Sequence, residues 1–281
     1  MLSGLVENRL AIAELMNGNE FCALKILRKN IQKNPSCLTF NNIGVYYCQY
    51  GMLLKNGKIR NAQKIGLKYL LNASTYETNW SNCVSIATAY WEEENIFKAY
   101  QYFEKACKLK PNGLLIYNIG CCLFKLQQYK EAAILFDFLC ENKFVKSIVD
   151  NGGINPFIAL SYCQKELNDV PRCIECLESY RARWKKEDLF DVFHLRYLCG
   201  LYEDALTECE ELIEKWYPTK YLLAMIADCA NYVQTQNVDK IIPNEYRFLW
   251  NKMKKNNMNR IRSINEYAFL PPLISMYTFI N

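Results

Sequence analysis

The stretch CVSIATAYWEEENIFKAYQYFEKACKLKP, Cys83 to Pro111, carries Ile86, Ala87, Tyr90, Ala99, Phe103, Ala106 and Pro111 in that order, and its reading decides the fold. Much of the pattern returns as Ile116, Ile119, Gly120, Ala132 and Phe136. The interval is roughly 34 residues, the period of a helix-turn-helix repeat unit. Ala87 and Gly120 let a second helix approach the first closely, Ala99 and Ala132 do the same from the second helix, and Phe103 and Phe136 fill the space between successive units. Pro111 stands where the second helix must stop, because its ring nitrogen has no proton to give to a continuing helix.

These residues, in this order, resemble the tetratricopeptide repeat family. The resemblance implies an all-α fold, a right-handed superhelical solenoid of about six to seven helix-turn-helix repeats with a C-terminal helical cap. The repeats are expected over residues 1–232, and the cap with an apolar tail over 233–281.

Working outward, a first unit runs from about Leu2 to Pro35, with Leu10 and Ala11 on one helix and Ala23 and Leu27 on the other. The second opens with FNNIGVYYCQYG, where Ile43, Gly44, Tyr47 and Gly51 suit a first helix, but the expected alanine arrives late, at Ala62. Residues 52–60 are therefore an insertion that lengthens either the first helix or the turn, and Asn56-Gly57 within Lys55 to Arg60 favours a longer loop. The third unit, about Trp80 to Asn112, and the fourth, about Gly113 to Phe144, are the most regular. ENKFVKSIVDNGG is expected to extend the fourth unit's second helix and turn at Gly152-Gly153, with Pro156 in the first turn of the next helix.

The fifth unit carries Leu160, Ser161, Cys173 and Leu177, with Pro171 marking its inter-helix turn. The sixth, about Lys186 to Pro218, has Gly200 and Tyr202 at the turn and Ala205 on the second helix; a seventh first helix spans Tyr221 to Tyr232. EYRFLWNKMKK reads as a helix that caps the open end of the array. The final YAFLPPLISMYTFIN either packs back onto the array or forms a partner-binding tail, and packing is the expectation.

With 51% hydrophobic and 22% charged residues, the chain has enough apolar surface to fold, and a formal charge of +5 is too mild to demand nucleic acid. Fourteen cysteines are scattered through predicted helices without the spacing of a disulfide framework, and are expected to act as small buried hydrophobes. The C-x-x-C pair Cys173, Cys176, in a chain with one histidine, is a poor zinc site, so no metal and no cofactor is expected. MLSGLVENRLAIAEL has charges within its apolar stretch and reads as an amphipathic helix; no apolar run reaches the roughly 20 residues that span a bilayer, so cytoplasmic residence without a membrane partner is expected.

Phosphate loops, dinucleotide fingerprints, zinc-protease motifs and nucleophile elbows are all absent, and with His194 the sole histidine, triads are nearly excluded. The expected function is therefore non-enzymatic: a scaffold or adaptor that binds a protein or peptide segment, as a subunit or regulator of a larger complex, with control of a partner enzyme as a variant. Stacked units place their first helices along a concave groove. If Ile86, Ala87 and Tyr90 face the repeat core, residues three and four apart from the remaining positions share the other face.

That face holds Val84, Thr88 and Trp91 in the third unit, Tyr117, Asn118, Cys121, Phe124 and Lys125 in the fourth, and Asn41, Asn42, Val45 and Gln49 in the second. Tyr162 and Lys165 follow in the fifth, and Phe190, His194 and Tyr197 in the sixth. Rings would hold apolar side chains of an extended peptide while amides bind its backbone; the alternative is that many of these rings pack between units. Some relatives implied by the resemblance clamp a C-terminal carboxylate with lysine, asparagine and arginine. Asn42 and Asn118 match the asparagine, but Ser81, Ser85, Asn155 and Ala159 stand where the basic partners belong, which argues against a chaperone-tail receptor. The competing class is single-stranded nucleic acid, held by Arg181, Arg183, Lys185 and Lys186 around Trp184 (the 181–186 cluster) and by Lys252, Lys254, Lys255, Arg260 and Arg262 near Trp250 (the 252–262 cluster).

Overall fold

The computed structural model describes residues 2–51, 61–179, 188–207, 209–215, 220–255 and 271–280. Among them every regular element is a helix. The chain divides into two compact units, Met1–Gln128 with Leu273–Asn281, and Tyr129–Pro272.

In the first unit, helices pair in chain order: α1 (Leu2–Met16) with α2 (Glu20–Lys33), α3 (Cys37–Tyr50) with α4 (Ala62–Tyr76), and α5 (Trp80–Glu92) with α6 (Ile96–Leu109), followed by α7 (Gly113–Lys125). Polar residues start α3, α5 and α7. Ser36 accepts from the Thr39 amide in a capping box, and Asn79 and Asn112 accept from the amides of Asn82 and Leu115. Each such cap satisfies a donor that the helix itself leaves unpaired and contributes about 1 kcal/mol.

Five of the first helices end alike, whereas α3 ends at Gly51 in a right-handed conformation (φ −60°). Gly18, Glu94, Gln127, Asn168 and Gly200 all adopt positive φ, from 59° to 77°. Each donates its amide three residues back, and the next residue reaches five back, as in Glu94 to the Trp91 carbonyl (2.9 Å) and Asn95 to the Tyr90 carbonyl (2.8 Å). This closure satisfies orphan carbonyls while reversing the chain for the second helix. It recurs across both units and is the local event that makes the repeat a repeat.

Between the paired helices the small residues act as expected, with one shift. A Cβ on Gly66 would stand 2.8 Å from the Gly44 carbonyl oxygen and 2.4 Å from Cys48 Sγ, so the close crossing of α3 and α4 is made by Gly66, one turn after Ala62. Ala62 instead packs against Gly51, whose Cβ would lie 2.6 Å from it. Phe103, Ala87, Ala99 and Ala106 are fully buried in the third repeat. The predicted loop at Lys55 to Arg60 lies outside the described residues.

The second unit holds α8 (Tyr129–Glu141), α9 (Val145–Asp150), α10 (Pro156–Glu166), α11 (Val170–Ser179), α12 (Leu189–Leu198), α13 (Tyr202–Thr207), α14 (Cys209–Lys215), α15 (Lys220–Val233) and α16 (Arg247–Lys255). ENKFVKSIVDNGG does not extend α8: Lys143 turns left-handed (φ 61°), the helix closes, and the short α9 begins anew. Pro156 does open α10. Pro171 sits inside the first turn of α11, where its missing amide costs nothing, and Asn168 makes the turn before it. The core of this unit gathers Phe193, Leu212, Ile226 and Trp250; the buried guanidinium of Arg196 pairs with Glu178 at 3.0 Å and donates to the Asp204 carbonyl.

Candidate peptide-binding groove

Residues 273–280, apolar and following Pro271-Pro272, lie extended along the wall formed by α3, α5 and α7 of the first unit. Helices satisfy their own backbone groups, so only side chains on that wall can bond a strand laid across it. Asn118 on α7 takes both groups of Ile274: its Nδ2 donates to the Ile274 carbonyl (2.9 Å) and its Oδ1 accepts the Ile274 amide (3.0 Å). Asn42 on α3 repeats the arrangement at Ile280, donating at 2.8 Å and accepting at 2.7 Å. Between them, Thr88 Oγ1 and Ser85 Oγ on α5 accept the amides of Met276 (3.4 Å) and Thr278 (3.1 Å), and Asn41 Nδ2 donates to the Thr278 carbonyl (2.9 Å).

The bonds fall on every second tail residue, as the two-residue period of an extended chain requires. The tail runs against the order of the repeats, from α7 to α5 to α3. Six residues of strand reach about 20 Å at ~3.3 Å each, which matches two helix-to-helix steps of about 10 Å. The two hydroxyls are committed as donors to their own helix, Ser85 to the Ser81 carbonyl (3.0 Å) and Thr88 to the Val84 carbonyl (2.9 Å), which leaves their lone pairs for the tail amides. Behind the wall a chain of amides holds the asparagines: Asn82 donates to Asn41, Asn41 to Asn42, and Asn42 to Asn8 on α1.

Side chains of the tail are gripped as well. Ile274 is 4% exposed. The Tyr277 hydroxyl donates to Glu92 (2.8 Å) and accepts from Gln63 (2.6 Å), and Gln63 also bonds Glu92. Loss of hydration raises the Glu92 carboxyl above its ordinary value, with the bonds from Tyr277 and Gln63 opposing, and it raises the Tyr277 phenol too. Burial pushes the nearby Cys48 thiol up to about 12. Phe279 packs on the core of the first two repeats, with Leu15, Leu27, Tyr46 and Tyr47.

Of the residues read from sequence, Asn41, Asn42, Thr88 and Asn118 thus meet on one wall. Lys125 and Trp91 form a separate pair, the ammonium 4.9 Å from the ring centroid. Tyr117 and Phe124 are buried at 0% and 5% exposure. In the second unit, Tyr162 bonds His194 Nδ1 at 2.8 Å and Asp191 at 3.4 Å, Lys165 pairs with Glu166, and Tyr197 donates to Asp228. Burial chiefly, with Lys165 adding, pushes His194 down to about 4, whereas lost hydration pushes Asp191 up to about 7.

Sequence reasoning passed over Ser85, Gln63 and Glu92. Ser85 occupies the register of Asn42 and Asn118 in the repeat between them, a signal legible in the period; it drew notice only as a missing base. Gln63 and Glu92 meet through the fold and carry no such signal. Trp250 is buried, its indole donating to Asp239 at 2.6 Å, so its ring is not presented for stacking on a base. Arg181, Arg183, Lys185, Lys186, Arg260 and Arg262, with the side chains of Lys252, Lys254 and Lys255, lie outside the described residues. Among the described residues no cluster of metal ligands occurs and no helix is long and apolar enough to cross a membrane.

The chain is similar to a tetratricopeptide repeat protein from Parabacteroides merdae, with a TM-score of 0.61 at 16% identity, over 91% of this chain and 100% of that one. The fold is a tetratricopeptide-like helical repeat. MamA protein shares it with a TM-score of 0.50 at 11% identity, over 71% of this chain and 95% of that chain. No protein-family model matches the sequence, and no curated protein matches it. The tetratricopeptide-like fold accounts for the wall: its first helices bring positions 42, 85 and 118 into one line.

Proposed function

We propose that the chain is a non-enzymatic scaffold that binds an extended segment of a protein partner along α3, α5 and α7, as a subunit or regulator of a larger complex. The observation that carries this reading is the side-chain ladder of Asn42, Ser85, Thr88 and Asn118, which bonds the backbone of an extended peptide at alternate residues. Buried amides that bond only each other would serve packing equally well without two paired donor and acceptor sets facing outward. Backbone recognition of this kind gives affinity, and pockets for alternate side chains give selectivity.

The test is affinity capture of the tagged chain from its native cell extract, with and without nuclease, in parallel with the Asn42→Ala/Asn118→Ala chain. A nuclease-resistant protein at near-equal amount that the double variant fails to retain supports the groove. Retention of the same protein by both chains, or capture of nuclease-sensitive material alone, contradicts it.

A further inference from the structure

The groove's occupant in this structure is the chain's own tail, and the tail is read by its side chains as well as its backbone. Position 274 is buried, position 277 ends in a hydroxyl bonded on both sides, and position 279 sits on an apolar floor, while Ser275 is exposed and forms no hydrogen bond among the described residues. We infer that residues 273–280 are a built-in competitor for the groove, and that the partner is a protein segment with the same spacing: an aliphatic residue, tyrosine three places on, and an aromatic residue two beyond that.

This inference rests on the groove reading and adds the identity of the recognised pattern. A tethered segment holds an effective concentration on the order of mM, so an occupying tail must be displaced before any partner binds. The pattern follows from the contacts. A phenylalanine at position 277 leaves Gln63 and Glu92 facing an apolar edge, and a small residue at 279 leaves the floor beside Tyr47 open. Glu92 also opposes a segment bearing an acidic group at position 277, since two carboxylates would meet there.

The experiment uses the full chain and a fluorescein-labelled peptide PPLISMYTFI, matching residues 271–280. The Ile274→Asp/Tyr277→Ser chain, whose own tail can no longer dock, binds the peptide at least tenfold more tightly than the parent chain in fluorescence anisotropy. A peptide with Tyr277→Phe binds that variant about fivefold more weakly, Phe279→Ala weakens it at least as much, and Ser275→Ala changes it by less than twofold. Equal binding by parent and variant overturns the competitor. Unchanged binding of the Tyr277→Phe and Phe279→Ala peptides overturns the pattern, while loss of peptide binding on adding Asn42→Ala/Asn118→Ala still upholds the groove. If no peptide binds a variant whose circular dichroism matches the parent, groove and inference fall together.

Should the variant not fold, the parent chain answers alone. Unlabelled peptide at several millimolar must speed amide exchange at the chain's own residues 274–280 as it displaces them. No acceleration overturns the inference.

Discussion

Asn118→Ala should free the tail by a calculable amount. In the parent, Asn118 gives the Ile274 carbonyl a donor at 2.9 Å and its amide an acceptor at 3.0 Å, at a residue that is 4% exposed. Each bond contributes about 1 kcal/mol net, and water reaches a buried backbone pair poorly, so about 2 kcal/mol of docking free energy is lost, a factor of roughly 30 in the docked-to-free ratio. Chymotrypsin reads this ratio, because it needs an extended, accessible chain to cut after Tyr277 or Phe279. When docking is fast relative to cleavage, the cutting rate follows the free population. Release of tail fragments, followed by mass spectrometry, should quicken about 30-fold in Asn118→Ala and by a similar factor in Asn42→Ala. A change under twofold in both variants, with helicity intact, would show that the paired amides do not hold the tail.

Gly66→Ala brings a Cβ within 2.8 Å of the Gly44 carbonyl oxygen and 2.4 Å of Cys48 Sγ. Because one of the clashes is with backbone, overpacking of about 2–3 kcal/mol outweighs the ~1 kcal/mol gained in helix propensity, so urea unfolding should show a net loss of about 1–2 kcal/mol, whereas an unchanged midpoint would mean that the α3–α4 crossing is loose. Gln127→Gly removes the left-handed strain at φ 61° and should stabilise by about 0.5–1 kcal/mol, read as a raised Tm; a lowered Tm contradicts the turn geometry. In the second unit, unfolded His194 takes a proton near 6.5 that the folded imidazole refuses down to about 4, so its contribution to stability is lost as pH falls through that window. Asp191 keeps its proton up to about 7 when folded but loses it near 3.8 when unfolded, so its contribution is lost as pH rises from about 4 to 7. Relative to the parent, Asp191→Asn should therefore lose Tm on acidification and His194→Gln on alkalinisation, and slopes of the same sign in both would refute the assignment.

The repeat was legible because its constraints are local. A small residue at a crossing, an aromatic filler and a proline stop each act within one helical hairpin, so Cys83 to Pro111 sufficed for the fold: α5 and α7 begin at the expected unit starts, Trp80 and Gly113, and α6 stops before Pro111. Irregular joints were harder: nothing in ENKFVKSIVDNGG announces that Lys143 turns left-handed, and Gly66 takes the crossing that Ala62 was expected to make because the insertion shifts the register of α4. The wall was partly legible. Asparagines at 42 and 118 stand out on otherwise apolar helices, since a buried amide demands partners. Ser85 did not, because a serine mid-helix ordinarily bonds its own helix, which it also does here. The tail was expected to pack back onto the array, but which residues it would meet was beyond reach, as Ile280 and Asn42 lie 238 residues apart in the sequence.

Amide hydrogen exchange of the unmodified chain, resolved residue by residue along the tail, tests the groove most directly. The amides of Ile274, Met276, Thr278 and Ile280 are bonded to the wall, whereas those of Ser275, Tyr277 and Phe279 find no partner among the described residues. An alternating pattern is expected, slow at the first four and fast at the other three. Free-chain exchange at all seven would mean that no extended backbone lies on α3, α5 and α7, and the groove reading would fail with it.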